Sequence, residues 1–393
     1  MSEKVITRFP PSPTGPLHIA NVRTALFNYL FAKHNGGKFI LRIEDTDRAR
    51  SKEEFVKGIL GGLEWLALKW DNEPTRQSER TEVYKKYLDK LIKEDKAYIS
   101  QETEGENKEV IRFRNPNKTV SFSDLVRGEV KFDTTELGDF IIAKNIGEPL
   151  YHLAVVIDDF ESKVSHVIRG EDHVSNTPRQ ILIQEAIGAP RPVYAHLPLI
   201  LSSDRSKLSK RKHGESVSLD YYWKKGYLPQ AILNYLSLLG WNPGTDKEIF
   251  TLDELIKDFD VAKIQKGGAI FDEKKLDWVN KEHIKLLPPK ERQKLVAKDF
   301  DALSAPKLVK EKICWKEISA EETVKHLEKT KEILKAGGDL MAYATEVGKG
   351  NVLWPLRYAL SGQEVSPDPF TLVSILGKDE SVKRIEKAIK ELK

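Results

Sequence analysis

The sequence predicts an α/β fold built on a parallel sheet, with an all-helical module at its carboxyl-terminal end. Three observations carry this. Residues 5–43 read as strand, loop, helix and strand within about 40 residues, which is a βαβ unit. The same alternation resumes after residue 150. From Gln230 onward the apolar positions recur at helical spacing.

Taken in order, residues 5–9 form a short apolar run that ends in Pro10-Pro11-Ser12-Pro13-Thr14-Gly15-Pro16. So many prolines cannot sit inside a helix or a ladder, so this is a rigid loop. Val22, Ala25, Leu26, Tyr29 and Leu30 then line one helix face until Gly36-Gly37 stops it. Residues 38–43 read as a strand that runs into Glu44-Asp45-Thr46-Asp47. Ligands of parallel sheets sit at the carboxyl ends of the strands, so the proline loop and the acidic group belong to one edge. Residues 81–150 read as an insertion between two halves of the sheet, with a charged helix over 84–93 and strand character over 130–144. Beyond it the spacing predicts strands over 151–157, 165–169 and 193–201 and a helix over 177–187. Past Pro288-Pro289 a separate all-α module extends to Lys393.

Composition bounds the function classes. With 393 residues, 40% hydrophobic and 32% charged, the chain can bury a large core, which excludes disordered and collagen-like proteins. A lone cysteine, Cys314, excludes an intrachain disulfide and any multi-cysteine zinc site, and fits a reducing compartment; the simplest reading of it is a small buried hydrophobe in a helix. No run approaches the roughly 18 apolar residues of a membrane span. The opening residues lack the apolar core of a signal peptide, so a cytoplasmic protein is expected. Net charge is 64 − 60 = +4, too small to indicate nucleic acid by itself. A local excess does stand out: Arg205, Lys207, Lys210, Arg211 and Lys212 share one polar stretch with Asp204. Read alone, such a run is a solvated face.

Two loops carry chemistry. The first, with Ser12, Thr14, Gly15 and His18, precedes a helix whose free N–H groups and dipole favour anions, so it can receive a phosphate. The plainer reading is a turn in which His18 only caps the helix. The second, Ser206-Lys207-Leu208-Ser209-Lys210-Arg211, offers point charges able to follow a polyphosphate, and it follows the last strand at the same sheet edge.

Four ordered motifs make the chain resemble the bacterial-type glutamyl-tRNA synthetases, a class I aminoacyl-tRNA synthetase family: residues 8–19, 42–47, 167–173 and 207–211. The resemblance implies a class I synthetase Rossmann-like sheet (1–80 and 151–201). It further implies an inserted α+β acceptor-binding domain (81–150), a helical connecting domain (202–288) and a shortened all-α anticodon-binding domain (289–393). It implies activation of glutamate with ATP, dependent on bound tRNA, then transfer to the 3′ end of the glutamate tRNA. His18, Lys207 and Lys210 are the implied catalytic residues. Thr14, Gly15, His18, Ala20, Asn21, Lys207, Leu208, Ser209, Lys210 and Arg211 would surround ATP. Arg8, Ser12, Glu44, Arg50, Tyr151 and Arg169 would hold glutamate. Mg²⁺ would accompany ATP on its phosphate oxygens, and a monomer is expected. Without this resemblance, Arg8, Glu44 and Arg169 read as a structural ion-pair network, Asp45 and Asp47 as caps or arginine partners, and Trp354 as helix core, with Arg357 open.

Departures from the family pattern are Ala20 in place of glycine, Asn21 in place of histidine, and a shorter stretch around 290–345. Residues 97–101 lack the Cys-x-Cys zinc cluster of many relatives, so no structural zinc is expected. Competing readings are an enzyme that also glutamylates the glutamine tRNA, a paralogue that glutamylates a tRNA base, a catalytically inactive tRNA-binding paralogue, and a small-molecule nucleotidyltransferase. The helical tail counts against the second, and intact Glu44, Lys207 and Lys210 against the third.

Overall fold

The computed structural model describes residues 4–102, 108–209, 212, 214–288, 291, 306, 308–316, 318–364 and 366–393. They form two compact units, residues 1–284 and 285–393.

The first unit opens with β1 (Ile6–Phe9), α1 (Ile19–His34) and β2 (Lys38–Ile43). β1 and β2 pair in parallel with Arg8 opposite Ile40, as a βαβ unit requires. Gly37 permits the close approach that starts this pairing, since a Cβ there would lie 2.2 Å from the Val5 carbonyl oxygen. Next come α2 (Glu53–Trp65), β3 (Thr75–Arg76) on the far edge of β2, and α3 (Thr81–Lys93). Six strands follow: β4 (Ala97–Gln101), β5 (Glu109–Phe113), β6 (Thr119–Asp124), β7 (Gly128–Asp133), β8 (Phe140–Asn145) and β9 (Glu148–Pro149). Of these, β4, β5, β8 and β9 make a separate antiparallel sheet. The β6–β7 hairpin instead joins the parallel half-sheet formed later in the chain.

That half-sheet pairs β10 (His166–Gly170) with β11 (Val193–Leu197), flanked by α4 (Tyr151–Glu161) and α5 (Thr177–Ile187). The backbone N–H of Ser165 donates to the Ile6 carbonyl at 3.0 Å, which brings the two halves together at β1. One core runs beneath, from Leu88 and Leu91 of α3 through Leu153 and Val156 of α4 to Ile181 and Ile183 of α5.

Two strand expectations are corrected. Residues 151–157 are helix, not strand. The β-branched run Val155-Val156-Ile157 reads as a strand, but a continuous apolar run cannot separate a buried strand from a helix buried on most sides. Here the helix continues into buried Asp158 and Asp159. The stretch 193–201 is also not one strand. It breaks at Pro198, which has no N–H to donate, into β11 and β12 (Ile200–Leu201).

Beyond β12 the unit is helical, with α6 (Leu219–Lys224), α7 (Pro229–Leu238) and α8 (Leu252–Asp258), then β13 (Ala269–Ile270) and α9 (Glu273–Leu286). Arg23 of α1 donates to the carbonyl of Leu239 at 3.0 Å, and Phe27 meets Phe259 edge-on at 5.5 Å.

The second unit packs α10 (Lys310–Ile313), α11 (Ala320–Ala336), α12 (Leu340–Val347), α13 (Lys349–Ser361) and α14 (Pro369–Leu392) around Leu327, Leu356, Leu372 and Ile385. Cys314 is half-buried at the end of α10 rather than inside a helix. The Trp354 indole donates to the Lys312 carbonyl at 3.2 Å and lies 4.8 Å from Trp315. Arg357 stacks over Trp354 and donates to the Glu364 carbonyl at 2.7 Å.

Candidate active site

A cavity of about 750 Å³ opens at the carboxyl ends of β1, β2 and β10. Its walls include Arg8, Ser12, His18, Ala20, Asn21, Glu44, Arg50, Tyr151, Arg169, Lys207, Leu208 and Ser209. Two loops nearly two hundred positions apart in the chain thus share one space. Thr14 and Gly15 are not part of the lining, and Thr14 is exposed. Lys210 and Arg211 lie outside the described residues.

His18 is the N-cap of α1, and its Nδ1 accepts from the Ala20 N–H at 3.1 Å. Burial first, and then the Lys207 charge, lower its pKa to about 4, so the ring is neutral at pH 7. With Nδ1 accepting, the proton sits on Nε2, which is thereby a donor. Capping and phosphate donation are therefore compatible roles of one ring. Lys207 pairs with Asp172 at 2.7 Å while remaining half-exposed. Surface pairs of this kind are weak, so the ammonium can exchange partners.

At the inner end lies a buried charge network. Asp159 accepts from Arg8 Nε at 3.2 Å and from an Arg42 Nη at 2.8 Å; Arg42 also pairs with Glu44 at 2.9 Å. Asp158 beside it accepts from Gln77, Arg80 and Tyr84 at 2.7–2.8 Å. Burial alone would raise the Asp159 carboxyl, but the Arg8 and Arg42 guanidiniums reverse this and hold it below the ordinary range. Glu44 moves the other way. Its burial outweighs Arg42 and pushes its carboxyl up, which is the state a further cation beside it would relieve. Among the described residues, the Nη1 of Arg8 is buried with no hydrogen-bond partner.

Arg169 is 5% exposed and, among the described residues, its hydrogen-bond partners are the neutral His196, Gln180 and Thr177, at 3.2, 2.7 and 2.7 Å. Burial lowers its pKa accordingly. Three of its five N–H donors are used, leaving two for an anion. Tyr151 contacts His173 at 3.3 Å, and burial raises its hydroxyl pKa. At the rim, Arg50 is exposed and held by Asp47 at 2.6 Å. Asp45 accepts from the N–H and hydroxyl of Ser78 at 2.8 and 2.7 Å, so both acidic groups act as caps or ion partners.

Sequence reasoning missed Arg42, Asp158, Asp159, Asp124 and His196. The available signal was the Asp158-Asp159 pair closing an otherwise apolar run, since buried carboxylates need cationic partners.

A cavity with one arginine lacking a directly paired anion among the described residues, a second with a free Nη, a half-compensated glutamate and a lysine at the mouth suits an anionic, zwitterionic ligand beside a polyphosphate. The fold is the class I synthetase architecture, a Rossmann-like parallel sheet with a helical second unit. The profile of the family described as tRNA synthetases class I (E and Q), catalytic domain, matches residues 4–109 and 99–278. That of the anticodon binding domain matches residues 302–389. A glutamate–tRNA ligase of Thermoanaerobacter pseudethanolicus is 39% identical over 475 residues, covering 99% of this chain and 98% of its own. One from Petrotoga mobilis is 40% identical over 455, covering 97% of each. The crystal structure of a glutamate tRNA ligase from Elizabethkingia meningosepticum in complex with its amino acid superposes with a TM-score of 0.78, at 32% identity and with both chains fully covered. The chain therefore belongs to the glutamate–tRNA ligases of the class I tRNA synthetase family. The first of these alignments is 475 positions long against 393 residues here, so at least 82 positions belong to the relative alone.

Proposed function

We propose that this chain joins glutamate to the 3′ end of the glutamate tRNA in two steps within the cavity. A carboxylate oxygen of glutamate attacks the α-phosphorus of ATP and pyrophosphate leaves. A hydroxyl of the terminal ribose then attacks the mixed-anhydride carbonyl and AMP leaves. Neither step needs strong acid–base help from the protein; both need alignment and stabilisation of moving negative charge. His18 Nε2–H donates to a phosphate oxygen, and Lys207 exchanges Asp172 for the departing pyrophosphate, joined by Lys210. The substrate's side-chain carboxylate takes the free donors of Arg169 and Arg8, with Tyr151 beside them. Glu44, with Ser12, receives the α-ammonium. Arg50 closes the rim.

Glutamine would turn an NH₂ toward guanidiniums that can only donate, leaving buried donors unpaired, which costs several orders of magnitude in selectivity. The observation that carries this reading is Arg169, a buried cation with neutral hydrogen-bond partners and two donors to spare. Among the described residues no three His, Cys, Asp or Glu side chains converge as a metal cage. The donor set does not fit a protein-held Mg²⁺, and no step here runs through one. Residues 81–150 serve as the acceptor-binding insertion, 202–288 as the connecting region and 289–393 as the anticodon-binding region.

The test is acylation of purified glutamate tRNA and glutamine tRNA with labelled glutamate and with labelled glutamine. Glutamyl transfer to the glutamate tRNA is expected, with no transfer of glutamine. Absence of any charging of the glutamate tRNA rejects the proposal.

A further inference from the structure

Beneath the cavity, and outside its lining, two further side chains line up behind Arg169. His196 of β11 is fully buried and Asp124, the last residue of β6, is 2% exposed. Arg169 Nε donates to His196 Nε2 at 3.2 Å, and His196 Nδ1 meets Asp124 Oδ2 at 2.6 Å. An arginine Nε can only donate, so His196 Nε2 must accept and the ring proton must lie on Nδ1, directed at Asp124. Burial lowers the imidazole pKa, so the ring is neutral. Burial raises the Asp124 carboxyl, but His196 and backbone donors outweigh it and keep the group anionic. The carboxylate is itself fixed, because Oδ1 accepts the N–H groups of Val126 and Arg127 at 2.9 and 2.8 Å.

We propose that Asp124 and His196 are positioning residues that hold Arg169 for the substrate's side-chain carboxylate, and that they thereby set the preference for glutamate over glutamine. Asp124 fixes the tautomer. A ring protonated on Nε2 would oppose two donors across 3.2 Å and turn the guanidinium away. The carboxylate also gives Arg169 its charge balance through the ring, without competing for the two N–H groups left for a ligand. A direct carboxylate partner would occupy those donors, whereas an imidazole between them leaves the cation unsaturated. The orienting chain has the logic of a carboxylate–histidine pair behind a functional group, with an arginine as the group oriented.

This rests on the reading of Arg169 as a glutamate ligand, and the experiment separates the two. Full-length variants are assayed with glutamate tRNA for KM of glutamate, KM of ATP and the ratio of glutamate to glutamine use, beside thermal unfolding. Asp124→Asn and His196→Phe are expected to raise the glutamate KM roughly 10- to 100-fold, the scale of lost outer-layer orientation. The ATP KM should stay within about twofold and the glutamate preference should fall. His196→Gln has a carbonyl for Arg169 and an N–H for Asp124, and should stay within a few-fold of the parent. It also serves, with Asp124→Asn, if His196→Phe does not fold. A glutamate KM unchanged in Asp124→Asn, or ATP and glutamate KM rising together, overturns the positioning role. Arg169→Met is the control. If it raises the glutamate KM while the Asp124 and His196 variants do not, only the positioning role falls. If Arg169→Met changes nothing, the pocket assignment falls with it.

Discussion

Replacing Asp159 with alanine tests the buried network at the inner end of the cavity most directly. The carboxylate is 7% exposed and faces two cations, Arg8 at 3.2 Å and Arg42 at 2.8 Å. Arg42 keeps Glu44 and Asp158 when it is removed, but Asp159 is the partner of Arg8 among the described residues, so a buried guanidinium is left without its counter-charge. Breaking such a pair from one side costs about 3–5 kcal/mol, because the surviving charge stays desolvated. A central figure of about 4 kcal/mol is roughly a thousandfold in the folded-to-unfolded ratio. The assay is urea unfolding of the full chain, with the midpoint of the first unit's transition compared at constant slope. The double replacement Arg8→Met with Asp159→Leu removes both charges and should recover most of the loss, although it disables the site. A loss below about 1 kcal/mol for Asp159→Ala, the scale of an exposed pair, would refute the claim that these charges are desolvated.

Three further outcomes are expected. Gly350→Ala, normally stabilising within a helix by up to about 1 kcal/mol, should destabilise the second unit by roughly 1–3 kcal/mol through overpacking: the new Cβ would lie 2.2 Å from Trp315 Nε1, and an unchanged or raised Tm would contradict this. His18, His152 and His173 have pKa values lowered to about 4 by burial; on unfolding at pH 5 these rings should together take up roughly 2.6 protons, with stability lost as pH falls from about 6.5 to 4, and calorimetry in buffers of different ionisation heat would show no such uptake if the rings were solvated. Lys207→Met should reduce kcat for adenylate formation by about 10- to 1000-fold while leaving tRNA affinity near the parent value, read by single-turnover ATP cleavage and filter binding; equal turnover would remove Lys207 from the charge-following role.

The βαβ opening, the rigid proline loop and the placement of both motif loops at one sheet edge were legible because each depends on local chemistry: proline geometry, helix periodicity, and strands that end in polar turns. The identity of α4 was not legible. Leu153-Ala154-Val155-Val156-Ile157 satisfies strand propensity, and only the layers closing over it and the cations waiting for Asp158 and Asp159 make a helix the better solution. Arg8, Glu44 and Arg169 could be read from their motifs, but their electrostatic states could not. Two of the three are ion-paired as the structural reading of strand-end charges expects, while Arg169 has no directly paired anion among the described residues.

What the sequence determined by itself is the opening βαβ unit with its rigid proline turn, and that cations and a capping histidine cluster at strand ends. What tertiary structure alone decided is which charges are compensated. Asp159 and Arg8 are 151 positions apart, and Asp124 and His196 are 72. A buried charge is stabilised or left reactive by partners that only folding brings within hydrogen-bond distance, and no local pattern encodes that choice.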